Sequence, residues 1–272
     1  MKQKLFILFA FILFGCGANQ LENSNRIRIK GSDTMFLLNQ KLAEQFMIEN
    51  PGVSIYVDGG GTESGVNALL NNSVQICAAS RPLEPDEIKK MGENYNTVGL
   101  SFLIGRDALS IYLNSENNIK NLSIEQLSEI FECKINNWKL LDGFDLPILP
   151  ISRSAASGTH LYFIKHILKG EEICKSIPSV STTNEIVEFV RKNINAIGYG
   201  GIGYADSSIQ ISVNGIPPTK ENVINNSYPI SRYLRYYTSQ KPNGNIKKFI
   251  DWTTSEEGQK IVEAMGYIPL WN

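Results

Sequence analysis

Three times along the chain, a short run of alternating apolar residues gives way to a loop of glycine and small hydroxyl residues, and an apolar pattern at helical spacing follows. Period two marks a half-buried strand and period 3.6 an amphipathic helix. In Ile27-Arg-Ile-Lys-Gly-Ser-Asp-Thr34 the alternation ends at Gly31-Ser32-Asp33-Thr34, and Leu37, Leu38, Leu42 and Phe46 continue at helical spacing. Val53-Ser-Ile-Tyr-Val57 leads into Asp58-Gly-Gly-Gly-Thr-Glu-Ser-Gly65, after which Val66, Leu69 and Leu70 keep the helical period. Pro147-Ile-Leu-Pro-Ile-Ser-Arg153 leads into Ser154-Ala-Ala-Ser-Gly-Thr159, and Leu161, Ile164, Ile167 and Leu168 predict the next helix.

Strands predicted at about 26–30, 53–57, 74–79, 98–104, 108–113 and 147–151 alternate with these helices, the signature of an α/β fold. Capping boxes are predicted at Thr182 with Glu185, Ser123 with Gln126, and Thr254 with Glu257. The apolar segment Val98 to Leu113 is broken at Gly105-Arg106-Asp107, a natural place for a crossing between domains. Asn195-Ala-Ile-Gly-Tyr-Gly-Gly-Ile-Gly-Tyr204 contains neither a Gly-x-x-x-x-Gly-Lys-Ser/Thr loop nor a Gly-x-Gly-x-x-Gly that opens a helix. Its glycines read as close backbone packing or a hinge.

The amino terminus changes the picture of where this chain works. Lys2 and Lys4 precede an apolar run from Leu5 to Phe14 that is well short of the roughly 20 residues needed to span a bilayer. Residues 1–15 read as a signal peptide, and Leu13-Phe14-Gly15-Cys16 resembles a bacterial lipobox that would make Cys16 a lipidated first residue. Phe14 is bulkier than that pattern usually has. Residues 16–25 then form a polar tether.

With 272 residues, 42% hydrophobic and 19% charged, the chain has room for one large or two medium cores. The formal net charge is −1; removing Lys2 and Lys4 leaves 24 basic against 27 acidic residues, a net −3. That balance gives no nucleic-acid footprint. Beyond Cys16, the cysteines Cys77, Cys133 and Cys174 are an odd and widely spaced set, read as neither a disulfide framework nor a zinc site. Cys77, inside Val74-Gln-Ile-Cys-Ala-Ala79, reads as a small buried hydrophobe.

Ser157 and His160 are three residues apart, a spacing that could bring an imidazole back to a nucleophilic hydroxyl if a helix begins there. The serine lacks a Gly-x-Ser-x-Gly elbow, His166 is the one other histidine, and His160 is expected to face solvent. With two histidines and no paired cysteines, scattered carboxylates such as Asp142, Asp145, Glu171 and Glu172 give no metal site. An anion site uses all three loops. Helix-start N–H groups and Ser and Thr hydroxyls can surround the oxygens of a tetrahedral oxyanion, and Arg153 adds a planar donor. Each loop alone is an ordinary N-cap; three of them beside an arginine are not.

Gly-Ser-Asp-Thr (31–34), Gly-Gly-Gly-Thr-Glu-Ser-Gly (59–65), Ala-Ala-Ser-Arg-Pro-Leu (78–83) and Arg-Ser-Ala-Ala-Ser-Gly-Thr (153–159) resemble the phosphate-binding proteins of bacterial phosphate ABC transporters. So do Leu122 to Phe131 with Ile135-Asn-Asn-Trp138, Tyr228-Pro-Ile-Ser-Arg232, and Ser255 to Val262 with Gly266-Tyr-Ile-Pro269. The resemblance covers about residues 26–270 with its motifs in the family's order.

It implies a two-lobed type II periplasmic binding protein, each lobe a central sheet flanked by helices, with the ligand in the interlobe cleft. Lobe I would contain 26–104 and 213–272, and lobe II 105–212. It further implies a non-enzymatic, monomeric lipoprotein that needs no cofactor or metal and hands inorganic phosphate to a membrane ABC permease. Ser32, Thr34, the Met35 amide, Thr62 and Ser80 would hold the anion from one side. Arg153, Ser157, Gly158 and Thr159 would hold it from the other. Where longer relatives have an aspartate that accepts the proton of hydrogen phosphate, this chain has Arg81. Arg81 would add positive charge there or pair with a carboxylate, and Asp33 or Glu63 would become the acceptor. Sulfate, or a phosphate ester cleaved through Ser157, remain the alternative ligands.

Overall fold

The computed structural model describes residues 25–206 and 209–271. The predicted signal peptide and Cys16 lie outside the described residues. Within them the strands are β1 (Arg26–Gly31), β2 (Ser54–Asp58), β3 (Ile76–Ala79), β4 (Leu100–Leu113), β5 (Asn121–Leu122), β6 (Leu149–Pro150), β7 (Ser152–Arg153), β8 (Ser179–Val180), β9 (Ala196–Gly201), β10 (Gln210–Val213) and β11 (Ser231–Thr238). Helices separate most of them, as the alternating periods predict.

One sheet runs β2-β1-β3-β11-β4-β10-β5, with β9 also paired to β4 and β6 to β9. Among the described residues, the two largest of four hydrophobic clusters mark the two lobes. Ile27, Leu38, Leu42, Phe46, Ile104, Tyr236, Phe249 and Val262 fill the first, between β1, β3, β11 and the helices Phe36–Glu49, Gly244–Thr253 and Glu256–Ala264. Leu109, Ile111, Leu127, Phe131, Trp138, Phe163 and Tyr199 fill the second, around β9 and the helices Ile124–Phe131 and Gly158–His166. Each lobe is thus a stretch of sheet with helices against it.

β4 connects the lobes. It was expected to break at Gly105-Arg106-Asp107, yet it is one continuous strand of 14 residues. The reason is its partner: β11 pairs across the whole crossing, with Leu234 opposite Gly105, Tyr233 opposite Arg106 and Arg232 opposite Asp107. Beyond this point β4 pairs with β9 instead, from Leu109 opposite Gly201 to Leu113 opposite Ile197. The return crossing comes later than residue 213: Val213, Val223, Tyr228 and Ile230 are all buried in the second core, and β11 begins at Ser231.

Three further readings need correction. The strand expected at 147–151 is two short strands, β6 on β9 and β7 on β8. The boxes at Ser123 and Thr182 form, but Thr254 closes the Gly244–Thr253 helix, and Ser255 caps the next one by accepting the Gly258 amide. Cys133 and Cys174 form a disulfide with Cα atoms 5.9 Å apart. Spacing hid this pair, because folding brings the end of the Ile124–Phe131 helix to Cys174, whose amide bonds Phe131 O at 2.9 Å. Cys77 is buried and free as expected, and burial pushes its thiol pKa up.

The glycines of β9 do mark close packing. A Cβ on Gly198 would meet Ile186 Cγ2 at 2.3 Å, and one on Gly200 would meet Thr183 Cγ2 at 2.4 Å. Among the described residues, no helix is long and apolar enough to cross a membrane.

Candidate functional site

The first loop is built at the carboxyl end of β1. Gly31 has φ +148° and lies so close to β3 that an added Cβ would meet Ala78 O at 2.0 Å. The chain then turns through Asp33–Met35 into the Phe36–Glu49 helix, burying Ser32, Thr34 and Met35. Two tyrosines hold this turn by its carbonyls: Tyr204 Oη donates to Asp33 O, and Tyr267 Oη to Thr34 O at 2.5 Å. The Met35 amide, expected to donate to a ligand, is used within the turn, bonding Ser32 O at 3.0 Å.

The second loop, Gly59-Gly60-Gly61, has positive φ at Gly60 and Gly61 and delivers Thr62 as the first residue of the Thr62–Leu70 helix. Thr62 is fully buried, and its Oγ1 is 3.4 Å from the Ser80 amide at the end of β3. Gly60 N donates to Asp33 Oδ1 at 2.9 Å, so the first two loops brace each other.

The third loop comes from lobe II. β7 ends at Arg153, and Ser157 caps the Gly158–His166 helix by accepting the amides of Thr159 at 3.2 Å and His160 at 3.4 Å. With its oxygen occupied as an acceptor, the Ser157 hydroxyl keeps its hydrogen for another partner. Its oxygen accepts from the His160 backbone amide, and the imidazole is partly buried, with Nδ1 3.4 Å from Ser152 Oγ. Hence His160 does not face solvent, and burial lowers its pKa.

The lobes meet here. Thr34 Oγ1 and Thr159 Oγ1 are 2.8 Å apart. A Cβ on Gly158 would sit 2.3 Å from Thr62 Oγ1 and 2.9 Å from Ser80 Oγ, and one on Gly61 would meet Ala156 O at 2.4 Å. Glycine is needed where the two helix starts come this close. Arg153 spans the lobes: Nη2 donates to Asp33 Oδ2 at 2.8 Å and Ser181 O at 2.7 Å, and Nη1 to Thr183 Oγ1 at 2.7 Å. Burial pulls the Arg153 pKa down, while the Asp33 charge opposes that shift.

Eight of the expected residues, Ser32, Thr34, Met35, Thr62, Ser80, Ser157, Gly158 and Thr159, are thus at or beside the cleft, with Arg153 reaching it through Asp33. Arg81 is different. Its guanidinium forks onto Glu87, Nη1 and Nη2 each 2.7 Å from a carboxylate oxygen, and Nη1 also bonds Pro82 O at 2.9 Å. Glu87 is the third residue of the Pro85–Tyr95 helix and bonds back to the Glu84 amide, so a capping box claims Arg81 and neutralises it. Of the two expectations for Arg81, pairing with a carboxylate is the one observed, and its placement among the anion-binding residues is corrected accordingly.

Sequence reasoning missed Arg232 and Asp107. Arg232 Nε bonds Asp107 Oδ2 at 2.8 Å, and its Nη2 lies 3.0 Å from Thr159 Oγ1 and 3.4 Å from Thr34 Oγ1. Asp107 is completely buried; burial raises its pKa, opposed by the charge and hydrogen bonds of Arg232 and by the Ile202 amide. The available signal was Asp107 at the predicted crossing and Arg232 ending a quoted motif, and neither by itself indicated that they pair.

Among the described residues, no group of three or more His, Cys, Asp or Glu side chains could hold a metal ion. A surface cavity of about 810 Å³, lined by Lys220, Ile224, Glu263 and Trp271, lies away from the cleft.

Fold and cleft together define a class: a two-lobed periplasmic-type binding protein whose lobes close on buried hydroxyls and guanidinium groups. Residues 18–257 match the family model described as "PBP superfamily domain". The phosphate-binding protein PstS of Bacillus subtilis is 33% identical over 254 residues, covering 91% of this chain and 81% of that protein. PstS of Borreliella burgdorferi is 30% identical over 277 residues, covering 97% and 96%. A putative phosphate ABC transporter substrate-binding protein from Clostridium perfringens, solved with bound phosphate, superposes with a TM-score of 0.84 at 32% identity over 90% of this chain and 100% of that one. The chain belongs to this family of phosphate ABC transporter substrate-binding proteins.

Proposed function

We propose that the chain binds inorganic phosphate outside the cytoplasm and delivers it to an ABC permease for import. One observation carries the reading: Thr34, Thr62 and Ser80 of lobe I converge on Gly158-Thr159 of lobe II, and Ser80 Oγ is buried there without a partner. Buried hydroxyls without partners are costly, and an oxyanion supplies the acceptors they lack. Ser32, Thr34, Thr62, Ser80, Ser157, Gly158 and Thr159 hold the anion, with Arg153 supplying positive charge behind Asp33. The protein is a binding component and not an enzyme, in keeping with its relatives and with a Ser157 that serves as a helix cap.

Selection against sulfate falls to Asp33. Its carboxylate is largely buried at the cleft, whereas Glu63 is exposed. A carboxylate accepts the proton of hydrogen phosphate and repels fully deprotonated sulfate. Lipidation of Cys16 tethers a monomer to the membrane through residues 16–25. The disulfide fits that location, since such bonds persist in oxidising compartments.

Uptake of labelled phosphate by cells tests the transport reading. Deleting the gene should abolish high-affinity uptake, and the wild-type chain should restore it in a permease-dependent way. Uptake unaffected by the deletion would overturn it.

A further inference from the structure

Arg232 opens β11 directly opposite Asp107 of β4, where both strands pass from one lobe to the other. Three sides of its guanidinium are accounted for. Asp107 takes Nε at 2.8 Å, and the second Asp107 oxygen is pinned by the Ile202 amide at 2.9 Å. Nη2 reaches the Thr159 hydroxyl at 3.0 Å and the Thr34 hydroxyl at 3.4 Å. The Tyr162 ring lies against the flat face, 5.3 Å from Cζ to the centroid.

The remaining side is Nη1. It is buried with no hydrogen-bond partner, although Arg232 as a whole is only 5% exposed. Leaving a charged donor unpaired inside a protein costs more than leaving a neutral one. The nearby Ser80 Oγ is a second buried, unpartnered group in the same cleft. Of the two hydroxyl hydrogens on Thr34 and Thr159, their mutual bond uses one and leaves the other to donate. Arg153 also has one buried nitrogen without a partner, Nε, but both of its terminal nitrogens are taken, Nη2 by Asp33 and Ser181 O and Nη1 by Thr183.

We infer that Arg232 binds the oxyanion directly through Nη1, with Asp107 acting as the positioning residue that fixes the plane of its guanidinium. This rests on the oxyanion reading above and adds to it the cation that touches the ligand. It also explains why the group stands at the strand crossing. There a single guanidinium touches one hydroxyl from each lobe, so anion charge at this point favours the closed pairing of Thr34 with Thr159.

Calorimetric titration of phosphate into the wild-type protein and into Arg232→Gln/Asp107→Asn tests this, because the double substitution leaves no unpaired charge in the core. A cooperative thermal transition establishes that the variant folds. The expected result is phosphate binding by the wild type and at least about 30-fold weaker binding by the folded variant, the usual scale for losing a buried charged contact. A folded variant within about threefold of the wild type would overturn the inference while leaving the oxyanion reading intact. No phosphate binding by the wild type would overturn that reading and this inference with it. Should the variant fail to fold, a crystal structure of the wild type with phosphate decides: Nη1 within about 3.2 Å of a phosphate oxygen supports the inference, and every Arg232 nitrogen beyond about 4 Å overturns it.

Discussion

Thr34 and Thr159 belong to different lobes and lie 125 residues apart in sequence, yet their hydroxyl oxygens are 2.8 Å apart. Each stands at the beginning of a helical segment, on a turn whose backbone is fixed by bonds of its own. Tyr267 and Tyr204 hold the first turn, and the Ser157 cap holds the second. The contact therefore joins two preorganised surfaces, the arrangement by which hinge closure buries a small ligand.

Gly158→Ala should leave each lobe folded and impair their closure. The new methyl group would fall 2.3 Å from Thr62 Oγ1 and 2.9 Å from Ser80 Oγ, atoms of the opposite lobe. Overpacking of this kind costs about 1–3 kcal/mol, which should appear as weaker phosphate affinity. Calorimetry alongside thermal unfolding checks it, and a lower unfolding temperature without any change in affinity would count against an interlobe role.

Arg153→Ala should weaken phosphate binding by about 2–5 kcal/mol, since it removes a buried cation and leaves the Asp33 carboxylate unopposed beside an anion. Asp33→Asn should instead narrow the ratio of phosphate to sulfate affinity. Competition titrations with the two anions measure both. Affinity unchanged in the arginine variant would remove Arg153 from the site, and a constant ratio in the Asn variant would remove Asp33 from anion selection.

Reducing the Cys133–Cys174 bond, which closes a sequence separation of 41, should lower stability by about 4 kcal/mol on chain-entropy grounds. Urea unfolding of Cys133→Ser/Cys174→Ser against the wild type reads this directly. Equal midpoints with equal slopes would show that the bond contributes nothing.

Stability should fall as pH drops from about 7 to 5. Burial lowers the pKa of the half-buried His160 below its ordinary 6.5, so at this group the unfolded chain binds more protons than the folded one in this window. The contribution is complete above the unfolded pKa and is lost as pH falls through the folded one. Unfolding midpoints of His160→Asn measured across this range should slope less steeply than those of the wild type; parallel slopes would contradict the assignment.

The strand, hydroxyl loop and helix units were legible because each is local: the period changes from two to 3.6 around Thr34, Thr62 and Thr159, and the intervening residues are those that cap helices. What escaped were relations made only by the sheet. Arg232 meets Asp107 through the pairing of β11 with β4, between segments 125 residues apart. That pairing also keeps β4 continuous through Gly105. For Arg81 the two readings, anion contact or a carboxylate partner, stayed open in the sequence, and the structure shows the second: Glu87, a capping-box residue on the next helix, six positions on. The disulfide depended on the end of the Ile124–Phe131 helix meeting the irregular segment that holds Cys174, which no spacing rule states.

The cleft between Thr34 and Thr159 should close on hydrogen phosphate. Calorimetric titration of the protein lacking its first 25 residues with phosphate and with sulfate tests it most directly. Saturable binding of one phosphate per chain, with sulfate bound more weakly, is the predicted result. Equal affinity for the two anions would contradict selection by Asp33, and heat from neither would contradict the anion clamp itself.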